Sequence, residues 1–378
     1  MKSARVWLGA LLCLLLAGAG AGAPPAMAAK KLTTVKVTLA NPIFNPGLAF
    51  LWIGSFMGWY EEEGVDAQFV AAQGEGQSLG WAVAGRTDIA VPRPFPILFR
   101  AARGEDVGVT GVYVLNNQPI YEGVAVPPNS PIKSVCDLKG KKVGILAPND
   151  AGIAFLARAL KDCGLKASDV TFLPTGVADK SAAAMRLGRV DAWASVDVQY
   201  SLAKARGFEF RIIPYGKFLD DLFGNTIWVN QKFLKENRQA VIGYLRGMAK
   251  GSIFFYTNLD AALDMHWVLY PESMPKGMTK EQANKLFRQV LESRAPKLRK
   301  DKNAKHFGEF SEKKWAAYIQ FLGLQKELPP EKVKAIWTND LIAEVNNFDP
   351  KEIENQARNF NFQETLKKYQ ARMAARGR

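Results

Sequence analysis

Apolar and polar residues alternate with a period of two in Val35-Lys36-Val37-Thr38-Leu39, which is what a strand with one buried face requires. Residues 49–63 carry an apolar stripe at helical spacing and stop at Gly64, a residue type that readily takes the left-handed conformation found past helix ends. A strand over 65–70, a helix over 77–84 and a strand over 87–91 complete this first series. A second series repeats it, with a strand over 142–146, a helix over 152–161, a strand over 170–173, a helix over 178–187 and a strand over 190–193. Strands alternating with helices predict parallel sheets covered by helices. The two series share a detail as well, since Gly85-Arg86-Thr87-Asp88-Ile89-Ala90 is echoed by Gly188-Arg189-Val190-Asp191-Ala192-Trp193. The expectation is a duplicated α/β lobe. Residues 29–117 form the first part of lobe 1, 118–215 form lobe 2, and 216–378 cross back and pack a helical C-terminal extension on lobe 1. Strand-like stretches over 107–126, interrupted by Asn116-Asn117-Gln118-Pro119, suit the outward crossing. The chain should return after the strand-like run 210–214 and stay mostly helical from Gln231 on. Trp193 and Trp228 are expected in the core.

The N-terminus narrows what has to fold. Lys2 and Arg5 precede an apolar run over 6–19, then small residues and Pro24-Pro25, in the order of a secretory signal. Ala26-Met27-Ala28 offers the small-x-small pattern for cleavage after Ala28, so the signal is residues 1–28 and the mature protein works in the periplasm. The run is shorter than the ~20 apolar residues a membrane span needs. Cys13 lies inside it rather than behind a small residue at its end, which argues against a lipoprotein. Removing the signal and its two basic residues from a chain of 378 residues and net charge +14 leaves 350 residues at +12. That length suggests two ordinary domains, and 48% hydrophobic residues provide a core for each. Lys and Arg are spread among Asp and Glu, so the charge reads as solvated surface rather than a nucleic-acid footprint, and a monomer is expected. Only 367–378 is locally basic, either frayed or a surface helix. Cys136 precedes a strand and Cys163 follows the helix that returns from it. Both therefore reach one edge of a layer, and a disulfide between them is expected in an oxidising compartment.

Several motifs together resemble a known family. They are Glu63-Gly64-Val65-Asp66 after the helix 49–60, Gly74-Glu75-Gly76-Gln77 followed by Ala84-Gly85-Arg86-Thr87-Asp88, and Asp137-Leu138-Lys139-Gly140-Lys141-Lys142-Val143-Gly144. Leu187-Gly188-Arg189-Val190-Asp191-Ala192 follows, and Trp337-Thr338-Asn339-Asp340 and Asn346-Asn347-Phe348-Asp349 stand near the end. Each is weak alone, but their order and spacing are similar to those of periplasmic binding proteins of the nitrate, sulfonate and taurine type. That group includes the SsuA-like proteins and the pyrimidine-precursor and riboflavin binders called NMT1/THI5-like. The resemblance covers most of the mature chain. It implies a two-lobed type II-like binding fold, an ABC permease as partner, and no cofactor. It does not specify the ligand.

In such a fold the ligand lies outside the carboxyl ends of the strands, which selects a few loops. Asn41 and Phe44 after the first strand either hold a flat or apolar ligand or only cap the next helix. Gly76, Gln77 and Ser78 open a helix whose N–H groups favour a polar head group, unless the loop is merely a loop. Arg93, fixed between Pro92 and Pro94, either clamps a carboxylate or sulfonate or forms an interlobe salt bridge. Tyr121 and Glu122 lie at the crossing. Asn149 or Asp150 caps a helix in lobe 2. Asp197 stands where the resemblance places a ligand-contacting or cleft-closing residue, with a helix cap as the alternative.

A catalytic reading would need an activated nucleophile, a metal cluster or an acid–base pair. His266 and His306 are the two histidines, both in the helical half and far in sequence from these loops, and no metal spacing is seen. The pyrimidine-synthase relatives use a cysteine-rich motif that is absent here. A ligand-sensing module would share every binding feature and would need a signalling domain attached.

Overall fold

The computed structural model describes residues 32–41, 44–148 and 150–377. The signal segment and its cleavage point therefore lie outside the described residues, as does Asn149. Ten strands build two five-stranded sheets: β1 (Thr33–Leu39), β2 (Val65–Ala71), β3 (Ile89–Ala90), β4 (Val109–Val114), β5 (Gly123–Val126), β6 (Lys142–Ile145), β7 (Thr171–Pro174), β8 (Ala192–Ala194), β9 (Arg211–Pro214) and β10 (Thr226–Asn230). The first sheet runs β2-β1-β3-β10-β4 and the second β7-β6-β8-β5-β9. β1 pairs in parallel with β2 and β3, and β6 with β7 and β8. Each sheet takes one antiparallel strand from the chain arriving from the other lobe, β10 beside β3 and β5 beside β8. The protein is thus a two-lobed α/β molecule with a helical C-terminal region.

The repeated motif has one structural job in both lobes. Gly85 and Gly188 take left-handed φ values of 67° and 68°, ending a helix. Three residues on, Asp88 and Asp191 accept the backbone N–H of Lys36 (2.7 Å) and Lys142 (2.8 Å) with their carboxylates. Each aspartate therefore ties the entry of a lobe's third strand to its first strand, in the middle of β1 and at the start of β6.

Helix limits agree with the sequence reading within a few residues, with one exception. The single helix expected over 49–63 is three pieces: a 3₁₀ turn Pro46–Leu51 and helices Ile53–Met57 and Trp59–Glu62. Gly58 breaks it in the left-handed conformation, φ 89°. The bend lets Tyr60 fold back over Gly54, where a Cβ would stand 2.8 Å from its ring. The basic tail forms a helix, Phe362–Ala375, and it is anchored: Tyr369 stacks on Phe56 at 4.9 Å and Arg376 pairs with Glu61 and Asp66.

The long helix Arg238–Thr257 is buried against the first sheet, its Leu245, Met248 and Phe254 sharing one core with Val35, Val37 and Phe50. Two later helices reach beyond that lobe. Lys280–Arg294 packs along Asp197–Ala205 of the second lobe. Glu312–Leu322 places Phe321 5.1 Å from Phe155. Trp193 and Trp228 are both fully buried. Cys136 and Cys163 are bridged, joining the 3₁₀ turn Val135–Leu138 to the end of the helix Gly152–Asp162. No helix among the described residues is long and apolar enough to cross a membrane.

Candidate binding cleft

Segments after β1 and β3 meet the second lobe: a Cβ on Gly47 would stand 3.5 Å from Val198, Phe95 lies 5.6 Å from Phe155, and Arg93 lies 4.9 Å from the Tyr121 ring. On the first lobe, the helix Glu75–Val83 starts at Gly74 (φ 126°) with no side chain capping it, which leaves first-turn N–H groups available. Gly76 is exposed, and a Cβ there would meet nothing within 4 Å. Gln77 is exposed but turned onto its own loop, its Oε1 accepting the N–H of Gln73 at 2.8 Å. Ser78 is buried and donates to the Thr38 carbonyl at 3.2 Å, holding the helix to β1. Asn41 and Phe44 are half-buried, and the Phe44 ring packs 4.7 Å from Tyr270 and 5.7 Å from Trp52.

Arg93 lies deep in the cleft. Its Nε is 2.7 Å from Glu75 Oε1, and its guanidinium sits 4.9 Å from the centre of the Tyr121 ring. Burial opposes its charge, but Tyr121, Glu75 and Asp150 around it raise its pKa. The ion pair offered by the sequence is real, but its partner comes from the same lobe. Tyr121 in turn donates to Asp150 Oδ1 at 2.9 Å, and burial pushes its own pKa up. Asp150 also accepts the N–H of Gly152 at 2.7 Å, but the N-cap of the helix Gly152–Asp162 is Ala151 rather than Asp150. Phe95 meets Phe155 edge-on at 5.6 Å, and Phe155 stacks on Tyr121 at 4.9 Å, so aromatic rings close this side across the two lobes.

Asp197 begins the helix Asp197–Ala205 and is 1% exposed. Arg294 donates to its Oδ1 at 2.8 Å and Lys297 to its Oδ2 at 2.9 Å. Burial alone would raise the Asp197 pKa, but these two cations hold it below the usual carboxylate range. Lys297 also reaches the half-exposed Glu122 at 3.2 Å. The group joins the second lobe to the helical region, and beside it a Cβ on Gly47 would stand 3.5 Å from Val198.

Sequence reasoning missed Glu75 as the partner of Arg93, and it missed Arg294 and Lys297 altogether. Nothing local marks those two, since they lie 97 and 100 positions from Asp197. It also passed over Leu146 and Val177, in the loops that follow β6 and β7, which are 42% and 52% exposed. Distance in sequence misjudged His266, whose ring lies 5.4 Å from Trp52 and 5.7 Å from Tyr270, in the aromatic cluster that holds Phe44. Burial pushes its pKa down to about 3, and Nε2 is 2.8 Å from Ser273 Oγ, so it is a neutral core residue. Among the described residues no group of three or more His, Cys, Asp and Glu is placed to hold a metal.

Residues 45–262 match the sequence profile of the family described as NMT1/THI5 like. An Escherichia coli K12 protein, by name aliphatic sulfonates-binding, is 39% identical over 162 residues, 43% of this chain and 49% of its own length. Alignment to that relative thus spans about half of it. The riboflavin-binding protein RibY of Chloroflexus aurantiacus is 24% identical over 372 residues, 90% of this chain and 98% of its own. Among solved structures, the periplasmic aliphatic sulphonate binding protein SsuA from Escherichia coli superposes with a TM-score of 0.55 at 21% identity, over 81% of this chain and 92% of that one.

Proposed function

Because the chain belongs to the NMT1/THI5-like family, we propose that it is the solute-binding component of an ABC importer, exported to the periplasm. It captures a small organic solute between its lobes and presents it to a permease. Closure of one lobe over a ligand held by the other is the mechanism. The observation that carries this reading is the convergence of loops from both lobes on one cleft, with Arg93 and Phe95 set against Tyr121 and Phe155.

The charges of the cleft narrow the ligand. Among the described residues, Arg93 is paired through Nε with Glu75, and Arg294 and Lys297 are paired with Asp197, so each of these three cations already faces a carboxylate. What remains is the uncapped helix start at Gly74 and the exposed apolar side chains of Leu146 and Val177. Such a pair suits an apolar body with an acceptor-rich head, the head taken by backbone N–H groups and the helix dipole. The ligands named for the two relatives, aliphatic sulfonates and riboflavin, both fit that description.

A series of straight-chain alkanesulfonates titrated by calorimetry tests the reading. Burial of each methylene contributes about 0.8 kcal/mol, so affinity should rise about fourfold per carbon until the apolar surface is covered, and inorganic sulfate should not compete. Affinity independent of chain length, or sulfate competing on equal terms, would count against it. A second reading, a heterocyclic ligand, predicts tight riboflavin binding and none by the sulfonates.

A further inference from the structure

The chain passes between the lobes twice, from β4 to β5 and from β9 to β10, and the two crossings are tied to each other at both ends. On the first-lobe side Leu115 and Asn116 donate their N–H groups to the Asn225 carbonyl at 2.9 and 3.2 Å, and Gly224 donates to the Asn116 carbonyl at 2.8 Å. Gly224 permits this close approach, since a Cβ there would stand 2.7 Å from Asn116 Cβ and from the Gln118 carbonyl. On the second-lobe side Tyr215 donates to the Glu122 carbonyl at 3.2 Å. Among the described residues no hydrogen bond joins 117–121 to 216–223, the spans between these ties.

One side chain from outside reaches both spans. Lys314, on the helix Glu312–Leu322, donates from Nζ to the Asn117 carbonyl at 2.9 Å and to the Leu222 carbonyl at 3.3 Å. An ammonium has three donors, and Asp301 Oδ2 stands 2.6 Å away to answer the third. The Lys314 side chain is 14% exposed, whereas its neighbour Lys313 is 81% exposed and reaches only Asp221, at 3.0 Å. A change in the angle between the lobes has to be absorbed where the crossings are not tied to each other. The Asn117 and Leu222 carbonyls then shift relative to one another, and one ammonium cannot follow both. Lys314 therefore favours the angle seen here, in which Arg93 lies over Tyr121 and Phe95 meets Phe155. We infer that 117–121 and 216–223 are the hinge and that Lys314 is a positioning residue biasing it toward closure, acting through the two crossings rather than on the solute. The inference rests on the lobe-closure reading above.

The test uses the full mature protein, with small-angle X-ray scattering in the absence of solute and calorimetric titration with octanesulfonate. Lys314→Met removes the contacts to Asn117, Leu222 and Asp301 and keeps most of the side chain's length. Because it leaves Asp301 without its ammonium, Lys314→Met/Asp301→Asn is measured beside it. Both variants should have a larger radius of gyration than the wild type. Both should bind octanesulfonate about fivefold more weakly, because apparent affinity falls with the closure-competent fraction and the bias lost is that of one net hydrogen bond. Lys313→Met, the same change of charge one residue away, should alter neither quantity. A wild-type radius in the double variant would overturn the assignment, as would an equal expansion in Lys313→Met. A lower melting temperature with unchanged radius would mark an ordinary stabilising contact and overturn it too. Should octanesulfonate fail to bind the wild type, the ligand reading falls, and the radius without solute still decides the hinge.

Discussion

Replacing Asp197 with asparagine should open the molecule as well as weaken it. Its carboxylate is fully buried and is shared by Arg294 and Lys297, which come from the helical region on the opposite side of the lobe boundary. Removing one partner of a buried charged group while leaving the others in place typically costs about 3–5 kcal/mol, because the survivors keep their desolvation penalty. Lys297 would retain only the half-exposed Glu122. The cheapest escape for the two cations is rehydration, and rehydration requires the helix Asp197–Ala205 to part from Lys280–Arg294. The expected outcome is a fall in urea midpoint together with a larger radius of gyration by small-angle X-ray scattering in the absence of ligand. Asp191→Asn is the control, since Asp191 is exposed and accepts a strand N–H within its own lobe. It should cost less and leave the radius unchanged. An Asp197→Asn protein with wild-type radius and stability would show that the cluster does not hold the lobes.

Reducing the Cys136 to Cys163 bridge, or replacing both residues with serine, should destabilise the second lobe by roughly 3.5 kcal/mol. The two positions are 27 residues apart, and the chain-entropy model of a closed loop of that size gives this figure. Cys136 is exposed and Cys163 half-buried, so the serines leave no large cavity and the effect acts mainly through the unfolded chain. Calorimetry should then resolve two transitions where the bridged protein has fewer, the earlier one belonging to β6, β7 and β8. Identical scans with and without reductant would contradict this.

The sheets were legible because each lobe repeats a strand–helix series with its own period, and because the Gly-Arg-x-Asp motif marks the same turn twice. The register of a returning strand was not. β10 enters the first sheet from 216–230, a stretch whose pairing with β3 and β4 depends on where the second lobe ends. The break at Gly58 was hidden as well, since a glycine in an apolar helical stripe is compatible with continuation until Tyr60 must pack on Gly54. Of the cleft residues, Arg93 and Asp150 could be chosen from their positions after strands, Tyr121 from its place at the crossing and Asp197 from the family resemblance. What they bond to could not be chosen that way. Glu75 was visible beside its glycines but had no feature pointing to Arg93, and Arg294 and Lys297 look like any basic residues of an amphipathic helix until the chain folds back. The consequence is chemical. From sequence Arg93 reads either as an anion clamp or as an interlobe ion pair, and in the structure it is paired with Glu75 of its own lobe.

The most direct test of the clamp itself is hydrogen exchange measured by mass spectrometry, with and without saturating octanesulfonate. One ligand held by both lobes predicts simultaneous protection of peptides covering 73–78 and 91–95 on the first lobe and 146–151 and 175–178 on the second, where slower exchange reports closure around the solute. Protection confined to one lobe, or to neither, would contradict the account.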